Sequence, residues 1–293
     1  MEELKHHQPS MTIDEQINNL RLLGLIINDD IYARKILNDI SYFRLIKAYS
    51  LNLKVKNGNY KDNIKFEQLV ELYLFNSNFR QIIFPQIEKI EINVRCRISN
   101  YFAEKYGVLG YLDSNNFVNS IYHQAFISEI SEEIRRNSKA PFVKNFRDNY
   151  ETGNLPIYAL VEFFSFGTLS KFYKNMKNQD KKAIARSFNN IGYTYFQSWL
   201  ESISYVRNIC AHYGRLYNAK LSKTPMLYKE YSEAGICNNR IFGVLLCIKH
   251  LLKNDNHWNL FVDNIDMLFD KYESVDIKTM GFPLNWKEFL YVL

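Results

Sequence analysis

One long stretch decides the fold class. Residues 66–105 read FEQLVELYLFNSNFRQIIFPQIEKIEINVRCRISNYFAEK. Apolar residues recur there every three or four positions, which is the spacing of one face of an α-helix. The recurring residues are Leu69, Leu72, Tyr73, Phe79, Ile82, Ile83, Ile87, Ile90, Val94 and Ile98. Pro85 lies inside the pattern, and because proline has no backbone N–H we expect it to kink or divide the helix.

The rest of the chain has the same helical character. Glycine and proline number only 11 and 6 in 293 residues, which favours helices over a many-turned β fold. Shorter helices are predicted within 12–53, over 117–137, from Pro156 through Tyr173, from Thr194 to about Tyr217, over 241–252 and over 258–272. Asp29 and Asp30 suit a helix start. The apolar tail MGFPLNWKEFLYVL is expected to dock on the body.

We therefore predict an all-α protein that forms a single unit over residues 1–293. Its expected parts are an N-terminal helical extension over 12–60, a helical core over 65–218 and a C-terminal helical extension over 219–293. Apolar residues make up 47% of the chain, which excludes intrinsic disorder.

Composition also limits the compartment and the cofactors. The chain begins with a polar stretch and has no apolar run long enough to cross a bilayer, so we expect a cytoplasmic protein without membrane contact. Its four cysteines form no CxxC pair, which argues against a zinc site and favours reduced thiols. We predict no metal and no cofactor. The net charge of +6 suits an anionic partner but does not identify one.

A second stretch carries the chemistry. Residues 204–218 read SYVRNICAHYGRLYN and contain Arg207, Asn208 and His212. On a continuous helix, a polar stripe is formed by Glu201, Tyr205, Asn208, His212 and Arg215. An apolar stripe is formed by Trp199, Ser202, Val206, Ile209, Tyr213 and Leu216, and it should face the core. Arg207 is five residues before His212 and points about 140° away from it on an ideal helix.

These residue types fit RNA cleavage. Histidine exchanges a proton near neutral pH, so it can deprotonate the 2′-hydroxyl of RNA without a metal ion. Arginine can hold the phosphate through two hydrogen bonds and stabilise charge in the transition state. Asn208 can orient His212 or contact RNA. Because one chain supplies few such groups, two copies in a dimer would complete the site. The alternative is an ordinary helix whose arginine and histidine lie on its surface.

The motif, together with four other blocks in order, resembles a known family. Arg207-Asn208-x-x-x-His212 is similar to the signature of the HEPN superfamily, many of whose members are metal-independent ribonucleases. The other blocks are LRLLGLIINDDIYARKILNDISYFRLIKAYSL, LYLFNSNFRQIIFPQIEKIEINVRCRI, LPIYALVEFFSFGTLSKFY and MGFPLNWKEF. Together they resemble the abortive-infection Abi-D/Abi-F (Abi-like) family. The central block often has an acidic residue before its arginine, where this chain has Asn78 and Phe79.

The resemblance implies a HEPN-type helical bundle and a role in phage defence. It implies a homodimeric endoribonuclease toxin that is bound and restrained by a small non-coding RNA and that cleaves cellular or phage RNA. Candidate catalytic residues are Arg207, Asn208 and His212. Candidate RNA-binding residues are Arg44, Lys47, Tyr49, Arg95, Lys171 and Arg215, which are basic or aromatic residues suited to phosphate contacts and base stacking.

Each candidate contact has a structural alternative. The rings near Arg44 could belong to the core, and the lysines near Lys171 could form a solvated helix face. Glu91 and Arg95 are four residues apart and are expected to form a structural ion pair. Glu162 lies among apolar residues, so if buried it needs a basic partner, which we expect near the motif helix.

Two other functions remain open at this point. One is a non-catalytic RNA-binding module that uses the same basic surfaces. The other is an abortive-infection protein that is triggered through protein contacts, with RNA incidental. A His212→Ala substitution separates enzyme from binding module, and the salt dependence of binding separates RNA contacts from protein contacts.

Overall fold

The computed structural model describes residues 10–253 and 255–292. This part of the chain contains helices and isolated β-bridges but no β-sheet, which confirms the all-α class. It divides into two compact units. The first unit comprises the residues up to Phe79 together with Met267–Asp276, and the second comprises Arg80–Asp266 and the residues from Ile277 onward. The predicted division into a core and two extensions stays a prediction.

Helices form the N-terminal part of the first unit. They are α1 (Ile13–Leu22), α2 (Asp30–Asp39), a single π-helical turn (Phe43–Lys47) and the beginning of α3 (Phe66–Tyr106). Thr12 and Glu15 cap α1 reciprocally, each side chain accepting the other's backbone N–H. Asp29 accepts the N–H of Tyr32 at 2.9 Å, which confirms the predicted start of α2.

The helix α3 runs without interruption for 41 residues, so Pro85 does not divide it, and the alternative of a kink stays a prediction. Proline removes one backbone donor, but the apolar face on both sides of it is held in place by burial. Ile83 and Ile87 are each 0% exposed. A single lost hydrogen bond does not outweigh that burial.

The second unit contains the remaining helices. They are α4 (Ser120–Arg136), α5 (Pro141–Asn149), α6 (Ile157–Leu160), α7 (Phe166–Asn175), α8 (Asn178–Ser187), α9 (Tyr193–Ala211), α10 (Lys229–Glu233), α11 (Ile241–Leu252), α12 (Trp258–Lys271, whose last residues belong to the first unit) and α13 (Trp286–Leu290). The centre of this unit is α9, which packs against α7, α8 and α11. Phe196, Trp199 and Ile203 of α9 are buried. The predicted apolar side of the motif helix is buried at Trp199, Ser202 and Val206, as predicted, but Tyr213 is 69% exposed because the helix ends at Ala211.

The predicted helix from Pro156 through Tyr173 is broken. A short 3-10 turn, Val161–Phe163, follows α6, and Phe164 then has an extended backbone. Ser165 starts α7 because its hydroxyl accepts the N–H of Thr168 at 3.0 Å. The Glu162 side chain is exposed in this turn, so the expectation for a buried Glu162 does not apply.

The C-terminal tail docks as predicted. Leu290 is 0% exposed and Trp286 is buried. The indole Nε1 of Trp258 donates to the carbonyl of Leu290 at 2.7 Å. Tail and α12 are thereby joined within the second unit.

Candidate active site at the end of helix α9

The motif residues lie at the C-terminal end of α9. Arg207 and Asn208 belong to the last turn, and His212 is the C-cap, whose backbone N–H donates to the carbonyl of Asn208 at 3.0 Å. Asn208 and His212 are both exposed. The sequence motif thus places an imidazole and an amide on the surface of a helix whose opposite side is anchored in the core.

A tight turn ends the helix directly after His212. Tyr213 has a φ of +56°, and its N–H donates to the carbonyl of Cys210 at 3.3 Å. The N–H of Gly214 donates to the carbonyl of Ile209 at 2.7 Å. These two bonds form a Schellman motif, which satisfies carbonyls at the helix end.

The predicted continuation of the helix to about Tyr217 is therefore wrong, and Arg215 does not continue a helical stripe with His212. Gly214 is the residue that permits the turn. A Cβ at this position would lie 2.9 Å from Cγ2 of Ile209 and 3.1 Å from its carbonyl oxygen. A glycine shortly after a helical pattern is a known stop signal, and it could have been used on the sequence.

Buried Arg80 holds the same turn from the side of α3. Its Nη1 donates to the carbonyl of Gly214 at 3.0 Å, and the residue is 6% exposed. A charge-assisted bond from a buried guanidinium to a loop carbonyl restrains that loop. The turn that carries His212 is thus held at both sides, by its own backbone bonds and by α3.

Arg207 is held by an acidic residue that the sequence analysis did not connect to it. Its Nε lies 3.3 Å from Oε2 of Glu91, and its guanidinium carbon lies 5.9 Å from the ring centroid of Phe84. The Glu91 residue is 8% exposed, whereas the Arg207 side chain is 32% exposed. Within the described part of the chain, the two terminal nitrogens of Arg207 have no hydrogen-bond partner. They can therefore reach a phosphate.

The predicted ion pair between Glu91 and Arg95 is confirmed. Arg95 also donates to the carbonyls of Val161 and Phe164, so its guanidinium joins α3 to the turn between α6 and α7. These contacts hold Arg95 in a structural role and leave it little capacity for the predicted contact with RNA. The spacing along α3 could not show that Glu91 bridges Arg95 and Arg207, because Arg207 is 116 residues away in sequence.

A cleft of about 560 Å³ opens beside this pair. Its charged lining residues are Glu88, Glu91, Glu162, Arg95 and Arg207. Three glutamates against two arginines do not make a cleft that attracts anions as a whole. Neither Asn208 nor His212 is among its lining residues. Any phosphate contact would therefore use the terminal nitrogens of Arg207 and the exposed end of α9 rather than the depth of the cleft.

The other predicted RNA contacts are distributed over both units. Arg44 and Lys47 are exposed on the π-helical turn of the first unit. Tyr49 is 5% exposed and packs edge-on against Tyr73, so the prediction that it stacks on RNA bases is wrong: its ring belongs to the core. In the second unit, the Lys171 side chain is 76% exposed.

Arg215, also in the second unit, is partly exposed after the turn that follows α9. The assignments of Arg44, Lys47, Lys171 and Arg215 to RNA stay predictions.

Comparison with known proteins identifies the family to which this chain belongs. A family model described as Abi-like protein matches residues 35–218, which is more than half of the chain, so this chain belongs to the Abi-like protein family. The match ends at the last residue of the motif stretch quoted above. No curated protein and no solved structure matches the chain.

The predicted family is thus confirmed, and membership supports a role in abortive infection. In residues 10–253 and 255–292, no helix has both the length and the apolar character needed to cross a lipid bilayer.

Proposed function

We propose that this Abi-like protein is a HEPN-type, metal-independent endoribonuclease toxin. The observation that carries the proposal is the end of α9, where exposed His212 and Asn208 follow an arginine that Glu91 holds in place. A proton-transfer group and a phosphate-binding group come from one short, anchored segment. RNA supplies the nucleophile, so strand cleavage needs only these groups together with an acid from a second copy of the chain.

In the proposed reaction, His212 accepts the proton of a 2′-hydroxyl while the 2′-oxygen forms a bond to the adjacent phosphorus. The bond between phosphorus and the 5′-oxygen breaks, and that oxygen takes a proton from an acid. The products are a 2′,3′-cyclic phosphate and a 5′-hydroxyl. Arg207 neutralises the charge that builds up on the phosphoryl oxygens. The acid is the equivalent histidine of a second copy, in a homodimer.

The test is cleavage of RNA by the purified full-length chain. His212→Ala should lose cleavage while retaining RNA binding, and it should fold normally because the side chain is exposed. His257→Ala is the matched control, since His257 is also exposed but lies outside the motif. Equal cleavage by the wild type and His212→Ala would remove His212 from the chemistry and overturn the proposed site. Binding of RNA without cleavage by the wild type would leave the RNA-binding module.

We further propose that a small non-coding RNA binds and restrains the protein in the cytoplasm. Exposed Arg44, Lys47, Lys171 and Arg215 are the proposed contacts. Sequencing the RNA that co-purifies with wild type and with His212→Ala tests this claim. One discrete RNA encoded beside the gene, present in both, is the expected result. Binding that does not weaken with salt would instead favour a trigger through protein contacts.

A further inference from the structure

A second cavity lies between α4 and α7, away from the Arg207 cleft. Its volume is about 320 Å³, which is within the range of small-molecule sites. It shares no lining residue with the cleft described above. Its binding of free nucleotides can therefore be tested without reference to RNA cleavage.

Aromatic rings form the walls of this cavity. The ring centroids of Phe117 and Phe172 are 5.3 Å apart at 83°, and those of Phe126 and Phe172 are 5.2 Å apart at 65°. Tyr122 also lines the cavity and is 62% exposed, so it stands at the mouth. A planar aromatic group entering from solvent would meet ring faces and edges, which is favourable for stacking and edge contacts.

Several polar side chains of the cavity are already engaged by the protein. Asn175 donates to the carbonyl of Asn119 at 3.0 Å and accepts its N–H at 2.9 Å. The hydroxyl of Thr168 donates to Oε1 of Glu129 at 2.6 Å. These groups have little capacity left to donate to a ligand.

Apart from the hydroxyl of Tyr122 and the lysines of the rim, the polar atoms that remain are hydrogen-bond acceptors. His123 is 5% exposed, and its Nε2 lies 2.8 Å from the carbonyl of Tyr111, so Nε2 must carry the proton and donate it. In a neutral ring Nδ1 then offers a lone pair, and within the described residues it has no partner. Glu129 adds a carboxylate at the same cavity. A ligand that reaches His123 and Glu129 must present donors to them.

Two lysines give the rim a positive charge. Lys171 and Lys174 both line the cavity and are exposed. The Nζ of Lys171 lies 3.8 Å from Oε2 of Glu129, so this one glutamate opposes two ammonium groups. An anionic group on the ligand would complement the remaining charge.

From these features we propose that the cavity binds one nucleotide. The base lies against the ring wall of the cavity and donates to His123 and Glu129, while the phosphate contacts Lys171 and Lys174. Guanine fits best, because N1–H and the 2-amino group are adjacent donors that suit a carboxylate, whereas uracil offers one donor. The nucleotide is either a free guanine nucleotide or an unpaired guanosine within RNA.

The first arm of the test is calorimetric titration of the full-length chain with GMP, AMP, CMP and UMP. We expect GMP to bind about tenfold more tightly than UMP. Ala125→Phe should abolish GMP binding by filling the cavity, because Ala125 lines it and is exposed. Gln124→Phe is the matched control, since Gln124 is exposed on the same helix but does not line the cavity.

A charge variant keeps the test valid if Ala125→Phe folds poorly. Lys171→Ala should weaken GMP binding about tenfold but leave guanosine binding nearly unchanged, because guanosine lacks the phosphate. Lys139→Ala, at an exposed lysine elsewhere, should change neither. Thermal unfolding of each variant reports whether it folds.

The second arm distinguishes the two sources of the nucleotide. It uses the His212→Ala background, so that RNA survives, and compares a hexamer of uridines with the same hexamer containing one guanosine. Preference for the guanosine hexamer, lost with Ala125→Phe while free GMP does not bind, assigns the cavity to RNA. Tight GMP binding assigns it to the free nucleotide. No preference in either arm, or a preference that Ala125→Phe leaves intact, overturns the proposal.

Discussion

Replacing Glu91 by glutamine tests whether this buried carboxylate positions Arg207 for chemistry. Glutamine has the same shape and keeps one acceptor oxygen, but its NH₂ group must face one of the two guanidinium groups that Glu91 now joins. One charge-assisted hydrogen bond is lost, and the NH₂ group of the glutamine faces an N–H donor of a guanidinium group. We expect Arg207 to leave its present position.

The magnitude follows from burial. A hydrogen bond to a charged group contributes about 1.5–3 kcal/mol. Glu91 is 8% exposed, but the Arg207 side chain is 32% exposed and water recovers part of its loss. The free energy of unfolding should therefore fall by about 2 kcal/mol. For a chain of this size the melting temperature should fall by about 3 °C.

The effect on cleavage should exceed what the lost stability explains. At 25 °C the variant remains folded, yet displacement of Arg207 should lower the rate of RNA cleavage about tenfold to a hundredfold. Single-turnover cleavage of a labelled RNA measures this rate. Glu88→Gln is the matched control, because Glu88 lines the same cleft on α3 but is exposed.

A double substitution separates positioning from a structural role. If Glu91 acts through Arg207, then Glu91→Gln added to Arg207→Ala should lower the cleavage rate no further. A lower melting temperature with cleavage at the wild-type rate would refute the positioning role. Equal and independent losses in the double variant would refute it as well.

Three further substitutions test structural contacts within the second unit. Gly214→Ala should cost about 1–3 kcal/mol of stability, because its Cβ would lie 2.9 Å from Ile209, and thermal unfolding measures this. Asp180→Asn should cost about 3 kcal/mol in urea denaturation, since this carboxylate is 0% exposed and accepts bonds from Lys105 and two tyrosine hydroxyls. Burial lowers the pKa of His250 from 6.5 to about 4, so the unfolded chain takes up a proton that the folded chain refuses. The contribution of this pKa difference to the free energy of unfolding is complete above pH 6.5 and is lost as the pH falls towards 4. Denaturation of His250→Asn at several pH values should lack this part of the pH dependence.

Helix type and capping were readable from local patterns. The apolar spacing along α3 and α11 predicts helices because burial of one face stabilises them. Asp29 predicts the start of α2 because its side chain caps the helix by accepting a backbone N–H. Breaks were read less well. Pro85 does not end α3, because the packing of its apolar face outweighs one missing hydrogen bond. Ser165 caps the start of α7 and so breaks a stretch that was predicted as one helix.

The all-α class, the family and the identity of the motif residues follow from the sequence alone. These depend on local spacing and on residue type, which the chain carries before it folds. Only the tertiary structure decided that Glu91 holds Arg207, that Arg80 restrains the turn after His212 and that Tyr49 is buried. Such contacts join residues far apart in the chain, and their partners depend on how helices pack against one another. The same packing forms the cavity between α4 and α7, whose acceptors and lysines come from separate helices.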